Sequence, residues 1–193
     1  MNDTKKAKTR GRPRGFDVEE AIAKAQALFH KHGYDAVSLA DLTDALGINP
    51  PSFYSAFGSK ADLYARALER YAKTEGLDFK RLLAPDRPLG DSLAALFEAA
   101  AESYTAHPEA PGCLVIEGAH GTVDAVACQK ATTLWQRGRA AVRDAIARSE
   151  PERADTITDY IMAVLTGISA SARDGLSKER LLGIARLASL PFA

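Results

Sequence analysis

Apolar residues recur three and four positions apart along most of this chain, the spacing of helices that bury one face. Val18, Ala21, Ile22, Ala25, Leu28 and Phe29 mark the first such stripe. Asp17 with Glu20 forms a capping pair at its head, Phe16 stands where a hydrophobic staple would pack, and Gly33 closes it. Leu39, Leu42 and Leu46 form a second stripe, opened by Ser38 with Asp41 and ended at Gly47. Asn49 is a good N-cap and Pro50 suits a first helical position, so a third helix begins two residues later. Phe53 and Phe57, four apart, give that helix one buried face. Ser59 with Asp62 repeats the capping pattern, and Leu63, Ala67, Leu68 and Tyr71 carry a fourth helix to about Gly76.

The pattern then changes. Ala84-Pro85-Asp86-Arg87-Pro88 interrupts it, after which Leu89, Leu93, Leu96, Phe97, Ala100 and Tyr104 predict an amphipathic helix ended by His107-Pro108. A Pro- and Gly-rich loop over 108–112 precedes a short apolar run at 113–116. A long helix is expected from Val123 to Arg148, with Leu134, Trp135, Val142 and Ile146 facing inward and Gly138 as a weak point. Pro151 can open the next helix, in which Ile157, Ile161, Val164, Leu165, Ile168 and Ala172 hold helical spacing up to Gly175. Ser177 caps a last helix through Leu181, Ala185 and Ala188, stopped by Pro191. No stretch alternates as a strand does between hairpin turns, so the expected class is all-α.

Two helices joined by three or four residues containing Gly make a helix-turn-helix, whose second helix lies in the DNA major groove. The order Gly47-Ile48-Asn49, Phe53-Tyr54, Phe57-Gly58-Ser59-Lys60 and Leu63 resembles the tetracycline-repressor (TetR) family of transcription regulators. The likeness runs back to about Arg14 and forward to about Thr74. It implies a helix-turn-helix DNA-binding domain at 14–74 and an effector-binding and dimerisation domain at 75–193; residues 1–13, ahead of the likeness, are expected from their charge to be a basic disordered arm. It also implies phosphate contacts at Ser38, Tyr54 and Lys60. Each is physically reasonable: Ser38 heads a helix whose N–H groups favour an anion, Tyr54 projects a hydroxyl, and Lys60 adds charge. A core aromatic at Tyr54 and a solvated surface lysine at Lys60 are the plain alternatives.

One departure from the family stands out. No arginine or lysine lies between Asn49 and Gly58, where many relatives carry a basic residue near the position of Pro50. The bidentate arginine–guanine contact is then unavailable. Base reading falls to apolar contact of Pro50, Pro51 or Ala56 with thymine methyls and to hydrogen bonds from Asn49, Ser52 or Ser55.

Charge sharpens this picture. Lysine and arginine total 25 against 25 acidic residues, so the global balance carries no sign of a nucleic-acid partner. Its distribution does: Lys5, Lys6, Lys8, Arg10, Arg12 and Arg14 face only Asp3 within residues 1–16. Arg10-Gly11-Arg12-Pro13 resembles the minor-groove hook of AT-hook proteins, so Arg10, Arg12 and Arg14 are expected at DNA. At 46% apolar the chain can bury a sizeable core. It has neither a run of about 18 apolar residues nor the apolar core of a signal peptide, and two cysteines are too few for a disulfide framework. A soluble cytoplasmic protein is expected.

Relatives dimerise through their last two helices, and residues 153–190, with Gly167, Ser169, Ala170 and Ala172 among apolar neighbours, fit that use. Relatives also bind a small effector among the central helices. The candidate lining here is Phe97, Tyr104, Trp135 and Met162 as walls, with Cys113, Glu117 and His120 as polar groups. His107, Cys113, Glu117, His120 and Cys128 lie close in sequence but lack CxxC or HxxxH spacing, so neither a metal site nor a cofactor is expected. Cys113 after Pro111-Gly112 could be a redox or electrophile sensor if its thiol were activated, or a buried inert cysteine. The chain has no phosphate loop, nucleophile elbow or HExxH, which argues against an enzyme. The function read from the sequence is therefore a homodimeric repressor of an inverted-repeat operator on double-stranded DNA, released by a small-molecule effector. A non-specific architectural DNA-binding protein is the rival.

Overall fold

The structure, a computed structural model, describes residues 17–192; among these it contains ten α-helices and no strand. The first four form the head: α1 (Val18–His32), α2 (Leu39–Leu46), α3 (Pro50–Phe57) and α4 (Lys60–Thr74). Their boundaries follow local chemistry. The Ser38 hydroxyl accepts from the Asp41 amide (3.1 Å) while the Asp41 carboxylate accepts from the Ser38 amide (2.7 Å), a reciprocal box. Asn49 Oδ1 accepts from the Ser52 amide at 2.9 Å, and Ser59 Oγ from the Asp62 amide at 3.0 Å. At α1 the box is one-sided: Asp17 accepts from the Glu19 and Glu20 amides, but the Glu20 carboxylate turns away to Lys24 at 2.9 Å. The staple residue Phe16 lies outside the described residues. Gly47 takes φ 65°, a left-handed conformation that costs a residue with a Cβ, and this lets the chain reverse into α3 within three residues.

One apolar cluster fills the head. Phe29, Leu42, Phe53, Leu63 and Leu68 are buried to 1% exposure or less, with Phe29 meeting Tyr64 edge-on at 5.0 Å and Phe53 tilted against Phe57 at 5.4 Å. α1 packs chiefly on α4, and the α2–α3 pair closes over them.

The rest comprises α5 (Phe79–Leu82), α6 (Leu89–Ser103), α7 (Leu114–Gly121), α8 (Ala125–Ile146), α9 (Ala154–Arg173) and α10 (Lys178–Ser189). α6 packs on α10, α7 on α8, and α8 and α6 on α9. α8 passes through Gly138 without a break; a Cβ there would stand 3.4 Å from Phe79, so the glycine admits α5 rather than bending the helix. Pro151 opens a single 3₁₀ turn (Pro151–Arg153), and α9 proper starts at Ala154. α5 has one turn and α7 two, too few for periodicity to reveal them.

α4 joins the two halves by packing on α8 and α7. Ion pairs Lys130–Asp62 (3.0 Å), Arg137–Glu69 (2.9 Å) and Lys31–Glu109 (2.7 Å) line the junction. Solvent screens exposed pairs of this kind, so each contributes little. Burying Tyr64 and Tyr71 of α4, both 1% exposed, contributes more, since a large buried side chain is worth about 1.5–3 kcal/mol. Directional bonds fix the register: Asp35 accepts from the Val123 (2.8 Å) and Asp124 (3.2 Å) amides, and His30 Nε2 lies 3.1 Å from the Gly112 carbonyl. Burial holds the His30 imidazole below its ordinary pKa, which favours the neutral ring at this contact.

Candidate functional site

α3 divides its residues cleanly. Phe53 and Phe57 turn into the head, at 0% and 2% exposure, and Asn49, Pro50, Pro51, Ser52, Tyr54 and Ser55 are left exposed on one face. Tyr54 is 53% exposed, which removes the core-aromatic reading; its ring stands edge-on to Phe53 at 5.7 Å, a firm base for an outward hydroxyl. Ala56 is only half-buried but packs on the core, so Pro50 and Pro51 are the apolar groups that this face presents.

Ser38 and Lys60 flank the face under constraint. The Ser38 hydroxyl lies 2.6 Å from Asp41 Oδ2, and hydrogen bonds from Ser38, side chain first and then backbone, hold the Asp41 carboxyl below its usual range. Lys60 is half-buried with its ammonium 4.0 Å above the centre of the Tyr34 ring, a cation–π arrangement, and desolvation lowers its pKa. Arg10, Arg12 and Arg14 lie outside the described residues. Sequence reasoning missed Arg66 of α4, whose guanidinium donates to the Ala56 carbonyl (3.4 Å) beside the Phe57 ring. An arginine on a helix surface gives no sequence signal of which neighbour it reaches.

A cavity of about 250 Å³ lies behind α4, between it and the central helices. Tyr71 and Ala72 of α4, Phe79, Leu134 and Trp135, and Met162 and Leu165 of α9 make most of its wall, with Tyr104 and Cys113 at the polar end. Of the residues expected to line an effector site, Tyr104, Cys113, Trp135 and Met162 do. The other three do not. Phe97 is fully buried away from the cavity, near Tyr160; Glu117 pairs with Arg173 at 3.1 Å; His120 is exposed and meets Trp135 edge-on at 5.7 Å. The fourth helix supplies Tyr71, which reads as part of that helix's apolar stripe, and Ala72, which lies outside the stripe. Among the described residues, no three His, Cys, Asp or Glu side chains gather as a metal site would need.

Cys113 precedes α7 at 8% exposure. Burial pushes its thiol pKa up, against hydrogen bonds from the Ile116 and Val115 amides and from the Tyr71 and Tyr104 hydroxyls. A protonated, enclosed thiol is a poor nucleophile. Cys113 is therefore expected to react with a thiol reagent at neutral pH at least tenfold more slowly in the native protein than in urea. Equal rates, followed by mass spectrometry, would return the sensor reading.

Comparison with known proteins completes the picture. The sequence profile described as bacterial regulatory proteins of the tetR family matches residues 21–67, the span from α1 into α4. Over 188 residues the chain is 44% identical to the HTH-type transcriptional repressor BdcR of Escherichia coli K12, covering 97% of this chain and 95% of that one. The chain belongs to the TetR family of transcriptional regulators. The HTH-type transcriptional repressor ComR of E. coli K12 is 34% identical to it, covering 92% of this chain and 90% of its own. Among solved structures, a cysteine mutant of the TetR-family regulator CifR in complex with 26-base-pair operator DNA superposes with a TM-score of 0.82 at 30% identity, covering 95% of this chain and all of that one. As a TetR-family member the chain is a DNA-binding regulator rather than an enzyme, and the all-α class with an N-terminal helix-turn-helix holds. Among the described residues no helix is long and apolar enough to cross a membrane.

Proposed function

We propose that this protein is a repressor that binds an inverted-repeat operator as a homodimer and is released when a small molecule fills the cavity behind α4. The observation that carries the reading is the face of α3: Pro50, Pro51, Ser52, Tyr54 and Ser55 stand together in solvent on a helix anchored from behind by Phe53 and Phe57. Such a surface fits a major groove. BdcR and ComR are named repressors, and the CifR structure holds operator DNA. Selection of bound genomic fragments followed by footprinting tests it. A protected inverted repeat with half-site centres about one helical turn apart is expected; indiscriminate protection would favour the architectural reading, which the uncharged α3 keeps in view.

Homodimerisation is supported by α9 and α10. Ile184, Leu187 and Leu190 are exposed to 38%, 68% and 62%, an apolar row that a second copy would cover. Gly167 and Gly183 have open space above them, leaving room for close helix approach. Leu187→Glu is expected to shift the protein to a monomer by sedimentation at micromolar concentration and to reduce operator affinity at least tenfold, because one head offers too few contacts alone. A dimeric variant with wild-type affinity would move the interface elsewhere.

Release has a physical route. α4 carries Tyr71 and Ala72 into the cavity wall, and its N-terminus follows α3 directly through Gly58 and Ser59. A ligand that fits the cavity better with α4 displaced favours the state in which the two heads no longer match adjacent grooves.

A further inference from the structure

We propose that the cavity selects a small, uncharged, largely apolar molecule bearing one hydroxyl or carbonyl group, which sits against Tyr71 and Tyr104. The proposal rests on reading the cavity as the effector site and names what that site accepts.

Three observations lead there. The first is size. At about 250 Å³ the cavity lies just below the range of drug-sized pockets, which favours a small molecule of about one ring. The second is the wall, which is aromatic and aliphatic except at one end. There the Tyr71 and Tyr104 hydroxyls each stand within hydrogen-bonding reach of the Cys113 thiol, on residues no more than 8% exposed. These groups can donate or accept but carry no charge, so they can hold one polar atom and cannot neutralise an ion. The third is the absence of a free countercharge. Arg137 is the one ionic residue of the lining; it is 62% exposed at the side chain and engaged with Glu69 of α4 at 2.9 Å. An ion pushed into the cavity would lose its hydration without a partner, a cost that apolar contact does not recover.

Trp135 is the single tryptophan of the chain and lines the cavity, so its fluorescence reports occupancy directly. The test titrates the full-length protein with benzyl alcohol, benzoate and benzylammonium, one ring each and close in size, at constant ionic strength. Benzyl alcohol is expected to give a saturable change in Trp135 emission and a rise in melting temperature, with both ions at least tenfold weaker. Tyr104→Phe should weaken benzyl alcohol at least threefold while leaving toluene unchanged, a difference that loss of packing alone does not produce. Tyr71→Phe provides the same readout should that variant fold poorly. Benzoate or benzylammonium binding as tightly as the alcohol overturns the proposal, as does a linear, unsaturable response to all three. The failure of the wider reading looks different: saturable binding of the alcohol that leaves operator affinity unchanged would keep the cavity chemistry and reject its role in release.

Discussion

Deletion of residues 1–13 is expected to weaken operator binding by a factor of about 10²–10³ near physiological salt and to flatten its salt dependence. The reason lies in what α3 lacks. No cation stands between Asn49 and Gly58, and Lys60 is committed to the face of Tyr34. The deletion removes Lys5, Lys6, Lys8, Arg10 and Arg12 from each subunit. Each phosphate neutralised adds about 0.9 to the slope of log K against log salt, so the slope should fall by about 4.5 per arm if these five residues all reach the backbone. Fluorescence anisotropy of a labelled operator at four or five salt concentrations measures both quantities. An unchanged slope would show that cations on the helices, Arg66 foremost, supply the electrostatic attraction instead.

Gly118→Ala should cost about 2–3 kcal/mol of stability, at the upper end for overpacking a well-filled interior. α7 meets α4 and α8 at this residue with no room for a side chain: a Cβ would overlap the Tyr64 hydroxyl and come within 2.8 Å of Ala131 Cβ. Neither neighbour yields easily. Tyr64 is 1% exposed with its hydroxyl bonded to Thr122, and Ala131 is fully buried in α8. For a chain of this length the loss corresponds to a fall in Tm of roughly 4–12 °C. Gly121→Ala, three residues on, is the control, because its Cβ would meet only the Glu117 carboxylate at 3.4 Å. Equal melting of the two variants would mean that α7 can slide on α4, and that the junction is looser than its packing implies.

Both predictions concern the join between what local sequence specifies and what it does not. The head was legible because its signals are short-range. Ser38 and Asp41, Asn49 and Pro50, and Ser59 and Asp62 act within one helical turn, so their meaning does not depend on the rest of the fold. The spacing of Phe53 and Phe57 likewise marked the buried side of α3, although only the structure, with Tyr54 53% exposed, removed the core-aromatic alternative for that residue. In the second half the same reasoning found the long helices but placed α8 two residues too long at each end and did not recognise α5.

The amino-acid sequence by itself determined that this chain is helical, where its recognition helix starts and stops, and which family it joins. All of these rest on periodicity, capping and a motif contained within some twenty residues. Only the tertiary structure decided that Lys60 lies over Tyr34, that Gly118 admits Tyr64, and that α4 rather than Phe97, Glu117 or His120 walls the cavity. Those facts join residues between 26 and 94 positions apart, and no local pattern encodes a distance of that kind: Tyr71 and Phe97 carry the same apolar signature, and only the packing of α4 on α7 and α8 and of α6 on α9 and α10 puts one at the cavity and the other away from it.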